Sequence, residues 1–192
     1  MKTPTRIAFL LLVTVGCISC AGPPPRDFGP STDEVLTAAF MKENFGPSAY
    51  PDVAANAQCP GTQEVSVSVI EQRQGYRKLS SFPGIAVPYQ EFALSVRRYV
   101  VEALRESKVR VSPTGGAVIQ VAIDDLSINT GFGPAAGTAK LAITVPAWGH
   151  AATYVGKETS GTVQRAIAYS VHMSILAFLN DPAVVGRLQC RQ

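Results

Sequence analysis

Between residues 65 and 104 the side-chain period of this chain changes from two to three-and-four, and that change limits what it can become. Val65, Val67 and Val69 alternate with Ser66 and Ser68, the two-residue period of a half-buried strand. The stretch from Gln72 to Ile85 is polar and contains glycine, so it reads as a loop. Pro88 suits the first residue of a helix, where its missing N–H would be unsatisfied anyway. Tyr89, Phe92, Ala93, Val96, Tyr99, Val100, Ala103 and Leu104 follow at helical spacing, with Arg97, Arg98, Glu102 and Arg105 on the other side. A one-faced strand and a one-striped helix must each bury their apolar side, so the chain folds in layers.

The later elements continue the pattern. Val109 and Val111 predict a short strand, and Pro113-Thr114-Gly115-Gly116 a turn. Ile119, Val121 and Ile123 alternate, but Leu126 and Ile128 resume on the opposite parity. Keeping one apolar face through that switch needs one extra residue, which predicts a β-bulge at Asp124-Asp125. Gly131 to Gly137 reads as a connection, Leu141, Ile143 and Val145 as a strand, and Ala147 to Gly156 as another, entered through Pro146. A final helix over Gly161 to Leu179 stops at Asn180-Asp181-Pro182. Its uncharged stretch, Ala166 to Leu179, is too short to span a bilayer and predicts a helix buried on much of its surface. Upstream, Ser31-Thr32-Asp33-Glu34 fits a capping box opening a helix over 32–45, followed by an irregular 47–61. The expected fold is α+β, a two-layer sandwich: a mostly antiparallel four- to five-stranded sheet with two main helices packed on one face. Ser66, Ser68, Gln120, Lys140 and Thr144 lie on the face turned to water.

The first residues read as an address. Lys2 and Arg6 precede a run, Ile7 to Val15, that is apolar but for Thr14, and then Gly16-Cys17-Ile18-Ser19-Cys20-Ala21, the parts of a secretory signal. A cysteine directly after such a run resembles the lipobox of bacterial lipoproteins, in which the thiol takes fatty acyl chains such as palmitate. Cys20 is favoured over Cys17, because its acylation leaves exactly two later thiols, Cys59 and Cys190. In an oxidising compartment such a pair predicts a disulfide. Closing a loop of about 130 residues stabilises by at most roughly 5 kcal/mol in the chain-entropy view. Pro23-Pro24-Pro25 and Pro30 make a stiff extended tether, and two acyl chains suffice for stable attachment. The expected division is signal peptide 1–19, tether 20–30, N-terminal helix and irregular segment 31–60, and sandwich domain 61–192. By analogy with enterobacterial sorting, Ala21 in place of an aspartate implies the outer membrane.

Composition removes several classes of function. With 46% apolar and 16% charged residues the chain is not disordered. The formal charge is +3, and loss of Lys2 and Arg6 leaves about +1; no run of Lys or Arg exceeds two, so no nucleic-acid partner is expected. His150 and His172 stand on different elements without ligand spacing, so no metal or cofactor is expected. They read as a strand-surface and a helix-face residue. Asp124 and Asp125 point to opposite faces of a strand and read as the bulge rather than an acid pair. Gly131-Phe132-Gly133-Pro134-Ala135-Ala136-Gly137 precedes a strand rather than a helix, so it reads as a hairpin and not a phosphate loop. No nucleophile elbow or Walker motif is present, and no enzyme is expected.

The layout from Val65 to Leu188 resembles the YajG-like bacterial outer-membrane lipoproteins and related envelope-assembly and transport auxiliary lipoproteins. The matching points are the Tyr89–Leu104 stripe, the Ile119–Ile128 strand, Tyr154-Val155-Gly156 before the last helix, and the Asp181-Pro182 stop. The resemblance implies non-enzymatic binding or scaffolding at the periplasmic face of the outer membrane, with an unidentified envelope protein as partner. The alternatives are an auxiliary subunit of lipid or lipopolysaccharide transport, and an activator of peptidoglycan synthesis.

Overall fold

The computed structural model describes residues 32–53, 64–79, 85–131 and 133–189. In chain order these form α1 (Thr32–Val35), α2 (Ala38–Phe45), β1 (Val65–Ile70), β2 (Tyr76–Lys78), β3 (Ala86–Pro88), α3 (Tyr89–Glu106), β4 (Ala117–Asn129), β5 (Ala135–Val145), a 3₁₀ turn (Pro146–Trp148), β6 (His150–Ser160), α4 (Val163–Leu179) and α5 (Pro182–Gln189). The class is α+β. The main sheet has the order β1-β4-β5-β6, and β2 and β3 form a separate pair.

Two of the three pairings in the main sheet are antiparallel; β1 runs parallel to β4, with Val65 opposite Ala117. The 18-residue α3 explains the departure from an antiparallel sheet. A strand followed by a long helix can return to its own sheet only as a crossover, and a crossover delivers the next strand parallel. The expected strand at Val109–Val111 shrinks to one bridge, Val65 to Val111. The 72–85 loop contains β2, which pairs with β3. Pro88 closes β3 opposite Tyr76, so α3 begins one residue later than expected.

The bulge lies where the parity switch puts it, with the β4/β5 register shifting between Ile123 and Asp125. It keeps Ile119, Val121, Ile123, Leu126 and Ile128 on the buried face. The carbonyls it displaces are taken by two arginines: Arg73 Nη2 reaches Ile123 O at 2.8 Å and Arg77 Nη2 reaches Asp124 O at 3.2 Å.

Helix α4 lies so close on the sheet that at two positions beneath it no side chain fits. A Cβ on Gly137 would sit 2.3 Å from Ala166 O, and one on Gly156 would sit 1.9 Å from Ser170 O. Facing these glycines, α4 presents Ala166, Ser170 and Ser174 at four-residue intervals, and Ser174 Oγ donates to Ala139 O at 3.1 Å. Thr162 caps the helix, accepting from Arg165 N–H at 3.3 Å. Asn180-Asp181-Pro182 ends it as expected, but a further helix, α5, starts at once. Pro182 stands at its first position and Asp181 Oδ1 accepts from Ala183 N–H at 2.8 Å, so the same tripeptide is both stop and start.

The helix expected over 32–45 is broken at Leu36-Thr37 into α1 and α2; Ser31, the expected cap, lies outside the described residues. Together with the chain to Val53 these helices form a strap over α3 and α4. Val35, Leu36, Ala38, Met41, Tyr50 and Val53 are buried in the same core as the sheet. That cover explains why α4 can be uncharged from Ala166 to Leu179. Its inner side meets the sheet and its outer side meets Phe45 and Tyr50.

Candidate functional site

The most unusual chemistry in the described residues is a buried polar chain where the strap, α3 and α4 meet. Tyr99 lies in the middle of the apolar stripe of α3 and His172 in the middle of α4, and both are fully buried. A phenol in such a position needs a partner. The Tyr99 hydroxyl bonds His172 Nδ1 and lies 3.1 Å from the hydroxyl of Tyr50, which the strap supplies. Phe45 and Tyr50 close over the imidazole at centroid distances of 4.8 and 5.4 Å. His172 Nε2 has no partner among the described residues, so the ring is kept neutral: burial pushes it down to about 4. Burial likewise pushes the Tyr50 phenol up to about 12 and Tyr99 well above its usual value. A general acid or base works best with a pKa near the operating pH. These neutral groups join the strap to α3 and α4.

A second chain ties β6 to the α4–α5 corner. The Tyr154 hydroxyl donates to Asp181 Oδ2 at 2.6 Å, and His150 Nε2 lies 2.9 Å from the same hydroxyl. With the phenol proton directed at Asp181, the imidazole donates to the phenol oxygen. The hydrogen bond from Tyr154 holds Asp181 below the usual carboxylate range, while burial and then Asp181 raise Tyr154. His150 is thus half-buried in a network rather than a plain surface residue.

Asp124 and Asp125 flank the bulge and do not converge. Asp124 is exposed, whereas Asp125 pairs with Arg77 at 2.9 Å and approaches Lys140 at 3.8 Å. The glycine stretch is a hairpin connection, with β5 already running by Ala135; Phe132 is outside the described residues. The residues expected to carry covalent chemistry, Cys20 (or Cys17), Cys59 and Cys190, all lie outside the described residues. Among the described residues no group of three or more His, Cys, Asp or Glu is placed to hold a metal. No described helix is long and apolar enough to cross a membrane.

The pairing of Tyr99 with His172 had a signal in the sequence: a polar ring in the middle of each of two mostly apolar helices. Tyr50 and Asp181 had none, the first in an irregular segment and the second in what read only as a stop.

No protein-family model matches the sequence, and no curated protein is similar enough to count as a relative. Among solved structures the chain is similar to two forms of the PelC dodecamer from Paraburkholderia phytofirmans. One, a Leu-to-Met variant, is 17% identical, over 71% of this chain and 92% of that one, with a TM-score of 0.35. The other is 16% identical over 71% and 93%, with a TM-score of 0.36. The overlap is loose.

Proposed function

We propose that the protein is a lipid-anchored component of the cell envelope, a non-enzymatic binding or scaffolding lipoprotein at the periplasmic face of the outer membrane. The observation that carries this reading is Cys20 (alternatively Cys17), which directly follows a basic and then apolar leader and precedes a proline-rich tether. The inward-turned polar chemistry of the helical layer is compatible with it. The YajG-like layout, with two main helices on one face of a mostly antiparallel sheet, belongs to the same reading.

A Cys59–Cys190 disulfide is part of the proposal. Gln189 Nε2 donates to Val53 O at 2.8 Å, so the chain just before Cys190 and the strap six residues before Cys59 meet. Six residues reach at most about 20 Å, a separation that supports the proposed bond.

Intact mass of the mature N-terminus, together with peptide mapping without reductant, tests both parts. The expected result is a diacylglyceryl-modified Cys20 and a peptide joining Cys59 to Cys190. An unmodified N-terminus with its leader retained would overturn the anchor, and two free thiols the disulfide. Crosslinking in intact cells then names the partner.

A further inference from the structure

Folding gathers cations that the sequence keeps apart. Leu94, Arg97, Arg98 and Arg105 share one side of α3, turned away from the core, and Lys108 follows just beyond the helix. The four cations are exposed, and Leu94, about one turn before the first of them, is 65% exposed. Two carboxylates of the same helix reach the strap. Glu102 Oε2 accepts from Ala38 N–H at 2.8 Å, and Glu106 pairs with Lys42 at 2.5 Å. Glu91 remains at the first turn, where it complements the helix dipole. Arg97 is fixed at the sheet edge by donating to Val67 O at 3.1 Å.

We infer that this face of α3 lies on an anionic phospholipid surface, an inference that rests on the anchored reading above. Charge complementarity alone would admit any polyanion. An exposed leucine beside arginines fits a surface with apolar depth beneath a charged plane, and long cationic side chains suit its rim. The length of the tether allows it. Residues 21–31 separate Cys20 from Thr32, a span of about 34 Å if fully extended in polyproline form. The helix beginning at Thr32 packs against both α3 and α4.

The test uses the full protein purified from its native membrane. It is placed with vesicles of phosphatidylcholine alone, or of phosphatidylcholine and phosphatidylglycerol in equal parts. Modification of each arginine by p-hydroxyphenylglyoxal is read by mass spectrometry. Arg97, Arg98 and Arg105 should react about tenfold more slowly on the anionic vesicles at low salt, with the difference erased at high salt; exposed Arg187 on α5 should not change. In a variant carrying Leu94→Gln and Arg105→Gln, Arg97 should lose protection by about fivefold for the cation removed, with an unchanged melting temperature. Equal rates on both vesicles overturn the inference, as does protection by a DNA duplex without protection by vesicles. The N-terminal mass separates the two readings. An acylated protein with equal rates keeps the anchor and loses this face, while an unacylated one protected only by anionic vesicles does the reverse.

Discussion

The two sides of α4 are held by different physics. Toward the sheet, Gly137 and Gly156 let the helix backbone come down until no Cβ fits, and the contact is shape with one neutral hydrogen bond, Ser174 to Ala139 O. Toward the strap, the contact is made of rings and hydroxyls, Phe45, Tyr50, Tyr99 and His172, and depends on all of them being neutral. The first side should be indifferent to pH and intolerant of volume. The second should tolerate small changes of volume and fail when it is charged. One helix therefore carries a permanent joint and a conditional one.

The largest effect should come from filling the permanent joint. Gly156→Val places carbon against the Ser170 carbonyl and the Ser174 amide, which are backbone and cannot step aside. Overpacking typically costs about 1–3 kcal/mol and more where backbone must move, so a loss of about 4 kcal/mol is expected in urea unfolding. The loss should be the same at pH 5 and pH 8. A cost below about 1 kcal/mol would mean that α4 is free to lift from the sheet.

The conditional joint should break with acid. His172 has a folded value near 4 against about 6.5 unfolded. The unfolded chain therefore binds the extra proton in that window, and stability falls as pH drops from about 6.5 to about 4, then levels off. The full drop is about 3 kcal/mol. His172→Phe should flatten this limb and cost little at neutral pH, because it also removes a buried nitrogen without a partner among the described residues. Asp181 works at lower pH: its value is depressed, so its contribution is present above the unfolded value and lost as pH falls through the folded one. At the alkaline end Tyr50 and Tyr99 resist ionisation, so stability should fall as pH rises above about 10. Chemical denaturation across pH, for the parent and His172→Phe, checks the signs. An acid limb unchanged by His172→Phe would remove the imidazole from the account.

These contrasts were unequally legible in the sequence. The bulge was visible because a parity switch in an apolar alternation has only one remedy, and the α3 stripe because eight residues agree on one face. The parallel β1–β4 pairing was hidden, since alternation gives the face of a strand but not its direction; only the crossover through α3 supplies that. The break at Leu36-Thr37 was hidden because α1 and α2 together satisfy one helical pattern. Helix α5 was missed because Asp-Pro reads equally as an end and a beginning. Of the polar chain, Tyr99 and His172 could be suspected from their place in the middle of mostly apolar helices. Their meeting with Tyr50 depends on a strap whose path is set by tertiary contacts alone.

Within the polar chain, Tyr99→Phe should cost about 1–3 kcal/mol, because it strands His172 Nδ1 and removes the partner of Tyr50. Tyr50→Phe should cost less, about 1 kcal/mol, since Tyr99 keeps the imidazole. The double variant should cost clearly less than the sum, the mark of groups acting as one network. Additive costs would split the chain into two unrelated hydrogen bonds.

The smallest effect should come from the outermost contact of the strap. Lys42 and Glu106 are 2.5 Å apart, but their side chains remain 43% and 33% exposed. Water screens such a pair and side-chain entropy opposes it, so Lys42→Met should cost no more than about 0.5 kcal/mol. Glu102→Gln sharpens the point. Glu102 accepts from the first amide of α2, and glutamine keeps an acceptor there while removing the charge, so the loss should be limited to about 0.3–1 kcal/mol of interaction with the helix dipole. If either substitution cost as much as Tyr99→Phe, surface charge rather than buried neutral rings would hold the strap. Stability would then fall with added salt, and the acid limb would follow carboxylates instead of His172. A salt titration of the Lys42→Met variant beside the parent therefore decides which of the two forces makes the joint conditional.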